Sequence, residues 1–206
     1  MNISNLYKRV NVSMGKNCQV SDFCSLENVV LGDNVVIADG VQLKNVVIGD
    51  NAKLGRNITL YSDKESQPVR IGRYCWLSYG VFGEATQGEI ILKDYAIVAH
   101  RAILLSSTGT NTNNPVMYEI YPEHGGPITI GKYAWIGAQC TILPDVILGD
   151  GVVIGANSLV KGGRYEAWSV YGGTPAKLLK KIDPAAVERA KAKIEEERRL
   201  QYWELN

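Results

Sequence analysis

The chain has 206 residues, enough for one sizeable domain with its own core and tight for two. Its 22 Lys+Arg against 21 Asp+Glu leave a formal net charge of +1, so no basic field points to nucleic acid. No apolar run approaches the roughly 20 residues of a membrane-spanning helix, and MNISNLYKRVNVSMG holds no apolar signal-peptide core. Membrane insertion is therefore not expected, and the expected compartment is the cytoplasm.

Only two phenylalanines beside 21 glycines and many Val and Ile residues suggest an all-β chain with many sharp corners. From the N-terminus, aliphatic residues recur at every sixth position: Met14, Val20, Leu26, then Leu31, Ile37, Leu43, then Ile48, Leu54, Leu60. Two joins are one residue short, so these blocks are offset by 17, and LENVVLGDN is echoed by LKNVVIGDN. Residues 61–70 (YSDKESQPVR) are polar and read as a short excursion between coils. The phase returns at Ile71 and Leu77, and again at Leu92, Val98 and Leu104. Residues 106–127 are a longer excursion, bracketed by regular coils, which favours a functional projection. Ile130, Ile136, Ile142, Leu148, Ile154 and Val160 then run in register, with Gly131, Gly137, Gly149 and Gly155 directly after four of them. Beyond GGRYEAWSVYGGTPAKLL, Asp183 and Pro184 read as N-cap and first-turn proline of a helix. That helix has Glu195 and Arg199 as an i,i+4 pair and a narrow apolar stripe of Val187, Ala190 and Ile194. It is expected to pack against something, and it offers a cap for an open end.

A six-residue period matches neither the 3.6 of a helix nor the alternation of an open sheet. It fits a solenoid in which each hexapeptide makes one short strand and one corner, three to a coil. The repeated aliphatic then points inward and stacks on its equivalents, and glycine and Asn/Asp serve the corners. Counting four on from the nearest repeat aliphatic lands on Cys18, Cys24, Cys75 and Cys140, all four cysteines of the chain. Elsewhere the slot holds Val, Ala or Ser, so cysteine reads as a small hydrophobic filler. The expected partition is a β-solenoid over 1–182, with its projecting loop at about 106–127, and a C-terminal helix over 183–206.

At these residues the chain resembles the hexapeptide-repeat acyltransferases, most sharply over residues 127–181. WIGA, TILP, IGANSLV and GGTPAK match the C-terminal signature of sugar and xenobiotic acetyltransferases. The resemblance implies a left-handed parallel β-helix, a handedness that no spacing predicts, since crossovers are normally right-handed. It also implies a homotrimer with acetyl-CoA lying along the coils between two subunits. The acceptor is then a sugar or related small molecule, as in bacterial surface-polysaccharide synthesis. Gly137, Ala138 and Ala156 match positions that face the pantetheine arm. Lys161, Lys180 and Lys181 sit where the family places basic residues near the CoA phosphates. Trp135 fills an aromatic position whose default role is packing.

Acyl transfer from a thioester needs a base near the acceptor and a donor for the developing oxyanion. The chain has two histidines. His100, two residues after Val98, is fixed on a coil just before the long excursion and is the candidate base. His124 lies in the excursion and is a candidate acceptor contact, as are Thr110 and Glu84. In the galactoside and maltose acetyltransferase subgroup, the stretch equivalent to LSSTGTNTNNP carries the catalytic histidine where this chain has Thr110. Either the base has moved to His100, or an amine acceptor makes a histidine unnecessary. Two histidines are too few for a γ-class carbonic anhydrase of the same fold, and no metal ligand set is expected. A nucleotidyltransferase would need an N-terminal nucleotide-binding domain, but the repeat begins by Met14. The rival from another class is a catalytically silent scaffold, against which GGTPAK and IGANSLV count.

Overall fold

The computed structural model describes the backbone of residues 7–204 and side chains as far as Glu195, so the expected Arg199 partner of Glu195 lies outside the described residues. The chain winds into a parallel β-solenoid with three faces, each built from short strands stacked on their equivalents in the next coil. Met14, expected to point inward, is 48% exposed, and Val20 is half-buried. From Leu26 onward the expected inward positions are the buried ones: Leu31, Ile48, Ile71, Leu92, Ile130 and Leu148 on the first face are at most 3% exposed. Ile37, Leu54, Leu77, Val98, Ile136 and Ile154 do the same on the second face, and Leu26, Leu43, Leu60, Leu104, Ile142 and Val160 on the third. Each such side chain contributes about 1.5–3 kcal/mol by leaving water.

The cysteine slot behaves as filler. Cys24, Cys75 and Cys140 are buried, Cys18 is half-buried, and all four are free thiols. Burial pushes the Cys75 thiol up to about 11. Cys24 and Cys140 each point Sγ at a carbonyl of the next coil, 3.1 Å away.

The strand register shows where extra chain is inserted. Ser25 pairs with Gln42 and Gln42 with Thr59, steps of 17 residues. The step then becomes 23 from Thr59 to Phe82, 21 from Phe82 to Ile103 and 38 from Ile103 to Thr141. It returns to 18 from Thr141 to Leu159. Every surplus is inserted at one corner, between the third face and the first. The two expected excursions are there, and so is a third between Phe82–Ala85 and Ile90–Leu92 that the repeat count does not reveal. It follows an inward position that holds glycine: a Cβ on Gly83 would lie 2.6 Å from Leu60 Cδ2.

The same corner opens with an asparagine ladder. Asn11, Asn28 and Asn45 all have φ between 52° and 54°. Asn11 Nδ2 donates to Asn28 Oδ1 at 2.9 Å and Asn28 Nδ2 to Asn45 Oδ1 at 2.9 Å. Asn45 Nδ2 ends the chain on the Ser62 carbonyl at 2.7 Å, where the first excursion begins. The corner between the first and second faces also begins with asparagine (Asn17, Asn34, Asn51), as expected. It then continues with residues not expected in a left-handed conformation: Tyr74, Tyr95, Tyr133 and Trp168, φ 53° to 64°. Their rings stack, with centroids 4.9, 5.0 and 6.3 Å apart. Stacking of about 0.5–1.5 kcal/mol per pair offsets a left-handed cost of about 1–2 kcal/mol per residue.

Asp183 N-caps the helix Pro184–Glu204, its Oδ1 accepting from Ala185 N at 3.0 Å. The helix lies beside the aromatic corner: Ile182, Ala186, Val187 and Ala190 face Tyr95, Tyr133 and Trp168 across a cleft of about 710 Å³. The last strand of the second face is Lys177–Lys181, paired antiparallel with Ser169–Gly172. Its exposed lysines keep that edge from recruiting another strand. Among the described residues no helix is long and apolar enough to cross a membrane.

Candidate active site

Two corners gather the sequence-predicted residues, and they are different corners. The excursion corner holds Glu84, Thr110 and His124. The corner between the second and third faces holds His100, Ala138 and Ala156, with Gly137 beside them.

At the excursion corner, residues 106–127 are more ordered than a bare loop. Ser107–Thr108 pairs antiparallel with His124–Gly125, and a short helix Pro115–Ile120 closes the far end, N-capped by Asn114. Gly109, at φ 116°, lets the ribbon turn, since a Cβ there would lie 2.6 Å from the Pro122 carbonyl oxygen. Thr110 holds the neck: its Oγ1 donates to the Tyr121 carbonyl at 2.8 Å. A threonine at the subgroup's histidine position is thus engaged in loop closure here. His124 is fixed on this ribbon and held by Asp145, Nε2 to Oδ2 2.8 Å. The close approach of Asp145 depends on Gly126, where a Cβ would lie 2.0 Å from Asp145 Oδ1.

The middle excursion adds a carboxylate. Glu84 lies on an outward rung between Tyr61 and Leu105. Its Oε1 accepts from Ser107 Oγ at 2.6 Å and from Thr86 Oγ1 at 2.5 Å. Ser106 Oγ accepts from the Gln87 and Gly88 amides, both at 3.2 Å, tying the second excursion to the third. The neighbouring Tyr61 phenol is pushed above its ordinary range, first by burial and then by Glu84 and Asp63. Sequence reasoning missed Ser107, Thr86 and Asp145. They meet their partners across 21 to 23 residues or, for Thr86, inside the excursion that the repeat count hid.

The second site feature is a column of side chains. Val98, Ile136 and Ile154 are aligned across three coils, so His100, Ala138 and Ala156 follow in register. The amides confirm it: Gln139 N donates to the His100 carbonyl and Asn157 N to the Ala138 carbonyl, both at 2.9 Å. Adjacent coils are about 4.8 Å apart, so the small residues run for roughly 10 Å before reaching His100. On the other side of His100 the column holds Tyr79, 40% exposed, with the Arg101 guanidinium 5.6 Å from its ring centroid. His100 is exposed, and no hydrogen bond of its ring is found among the described residues. The strand Ile103–Leu105 separates it from the ribbon of its own chain by a distance on the order of 15 Å.

Of the lysines, Lys181 pairs with Glu166, Nζ to Oε2 2.6 Å, which raises its pKa. Lys161 and Lys180 are exposed, with no ion pair among the described residues. Trp135 departs from its expected packing role: it points outward and is 52% exposed, in line with Trp76 and Ile97. No group of three or more His, Cys, Asp or Glu side chains is gathered to hold a metal among the described residues.

Residues 127–162 match the family model described as bacterial transferase hexapeptide (six repeats). The dTDP-4-amino-4,6-dideoxy-D-glucose acyltransferase of Escherichia coli is 40% identical over 98 residues, 45% of this chain and 50% of that protein. The chain thus spans about half the length of this curated relative. The acetyltransferase WcaF of Escherichia coli K12, named for colanic acid biosynthesis, is 29% identical over 144 residues, 68% of this chain and 70% of its own. Among solved structures, a variant of AntD, an N-acyltransferase from Bacillus cereus in complex with dTDP and coenzyme A, is 26% identical. It superposes with a TM-score of 0.55 over 91% of each chain.

Proposed function

From a chain that is a left-handed parallel β-helix of the hexapeptide-repeat acyltransferase kind, we propose an enzyme that transfers an acyl group from a coenzyme A thioester to a nucleotide-linked sugar. The observation that carries this reading is the column in which small residues, Ala156 and Ala138, lead along the coils to His100. Small side chains leave room for a narrow, extended arm, and a histidine at its end meets the reactive carbonyl. Gly137, Ala138 and Ala156 line the arm, and Lys161 and Lys180 supply charge for the phosphates; Lys181 would first have to leave Glu166. Acetyl is the acyl group first expected. The names of the similar proteins support a dTDP-linked amino sugar as acceptor, and one of them supports a place in surface-polysaccharide synthesis.

His100 serves as base, taking the proton of the acceptor as its nucleophile attacks the thioester carbonyl. The excursion corner, with Glu84 and His124, holds the acceptor. Because those two corners are separated within one chain, the reading includes a homotrimer. There the donor column of one protomer faces the excursions of the next, a cyclic contact between unlike corners. The outward row Trp76, Ile97 and Trp135 supports such burial.

The test is thiol release from acetyl-CoA by wild type and His100→Ala, with a panel of nucleotide and free sugars. A fall of roughly 10²-fold or more in the variant, with acetyl-CoA binding retained, fits His100 as base. Equal activity would remove His100 from the mechanism. Absence of acetyl-CoA binding in the wild type would leave the scaffold reading.

A further inference from the structure

Glu84 is a half-buried carboxylate with one oxygen committed. Its Oε1 accepts from Ser107 Oγ and Thr86 Oγ1, and these hydroxyls come from two different excursions. Oε2 has no donor, and the carboxylate has no ion-pair partner, among the described residues. Two neutral donors hold the group in place without neutralising it. The rung beside it adds no cation either, since Tyr61 is a neutral phenol and Asp63 follows it. A carboxylate fixed in this way is best satisfied by a charged donor, whose hydrogen bond is about twice as strong as a neutral one.

A primary amine on a sugar is an ammonium ion near neutral pH, compact and rich in donors. A sugar hydroxyl is neutral, and a carboxylate is far too weak a base to ionise it. We propose that Glu84 Oε2 receives the ammonium group of an amino-sugar acceptor, so that this chain acylates nitrogen and discriminates against the matched hydroxyl. The inference rests on the acyltransferase reading and assigns the side chain that selects the amine of its acceptor.

In that step the ammonium passes one proton to Glu84, which releases it to solvent. The freed nitrogen lone pair attacks the thioester carbonyl, the C–N bond forms and the C–S bond breaks. His100 takes a second proton from nitrogen as the bond forms and passes it to the departing thiolate, which leaves as coenzyme A thiol. The product is an amide that keeps the third hydrogen.

The experiment uses full-length wild type, Glu84→Gln, Glu84→Asp and Ser107→Ala. The acceptors are dTDP-4-amino-4,6-dideoxyglucose and the nucleotide sugar bearing hydroxyl at the same carbon. Thiol release gives kcat and KM for each, and calorimetry gives acetyl-CoA binding. The expected result is amine preference in the wild type and a loss of about 10-fold or more in kcat/KM for the amine in Glu84→Gln, mostly through KM. Glu84→Asp should recover part of it, Ser107→Ala should lose less, and acetyl-CoA binding should not change. Acyl transfer to the hydroxyl sugar in preference, or an unchanged amine preference in Glu84→Gln, overturns the inference while the acyltransferase reading stands. Failure of the wild type to bind acetyl-CoA and release thiol overturns both.

Discussion

Asn45 shows how a single residue serves two demands at once. Its backbone sits at φ 54°, where asparagine is tolerated, the residue is 4% exposed, and its amide carries the ladder onto the Ser62 carbonyl. Asn45→Gly keeps the backbone freedom and loses the hydrogen bonds, whereas Asn45→Ala loses both. Urea denaturation should place Asn45→Ala about 2–3 kcal/mol below wild type and Asn45→Gly about 1 kcal/mol above Asn45→Ala. Equal values for the two variants would mean that backbone strain plays no part. Charge gives a second test at this scale. Asp94 accepts from the Arg73 guanidinium at 2.9 Å and from the Arg73 amide, which holds its carboxyl below the ordinary range. A lowered carboxylate pKa contributes stability that is complete above about pH 4 and is lost as pH falls through the lowered value. Melting temperatures of wild type and Arg73→Ala should therefore differ at neutral pH and converge in strong acid. A gap that persists there would assign the effect to packing of the arginine stem.

Among the elements, the aromatic corner is the least expected from sequence and the excursion corner the most consequential. Tyr95 stacks between Tyr74 and Tyr133, at interplanar angles of 1° and 16°. Asparagine would fit the left-handed backbone at this corner better, so intrinsic preference predicts that Tyr95→Asn stabilises. Loss of two ring contacts argues the opposite, and the expected outcome is a net loss of about 1–2 kcal/mol in urea denaturation. A gain would mean that the rings only tolerate their position. The excursions were legible in part. Residues 61–70 and 106–127 break a period that can be counted, but Gly83 hid the third break by standing where an aliphatic belongs. That one corner collects all three follows only from the pairing, since Thr59, Phe82, Ile103 and Thr141 sit at unequal intervals.

For the whole molecule, the row Trp76, Ile97 and Trp135 is at least 36% exposed at each position, on a face of otherwise regular strands. Large apolar side chains aligned in this way mark a surface that another molecule covers. Under the trimer reading, Trp135→Glu should shift sedimentation toward the 22.6 kDa monomer and lose acyl transfer in parallel, because each site draws on two protomers. A monomeric variant with full activity would place the whole site in one chain. The inward residues, the cysteine slot, the helix cap at Asp183 and the acyltransferase resemblance could all be read from the sequence. Each follows from a local rule, one side chain per hexapeptide or one motif. The separation of His100 from His124, the capture of His124 by Asp145 and the hydroxyl cradle of Glu84 could not. They depend on how many residues each coil inserts before it returns to register, and only the closed solenoid brings Glu84, Ser107, His124 and Asp145 to one corner and leaves His100 at another.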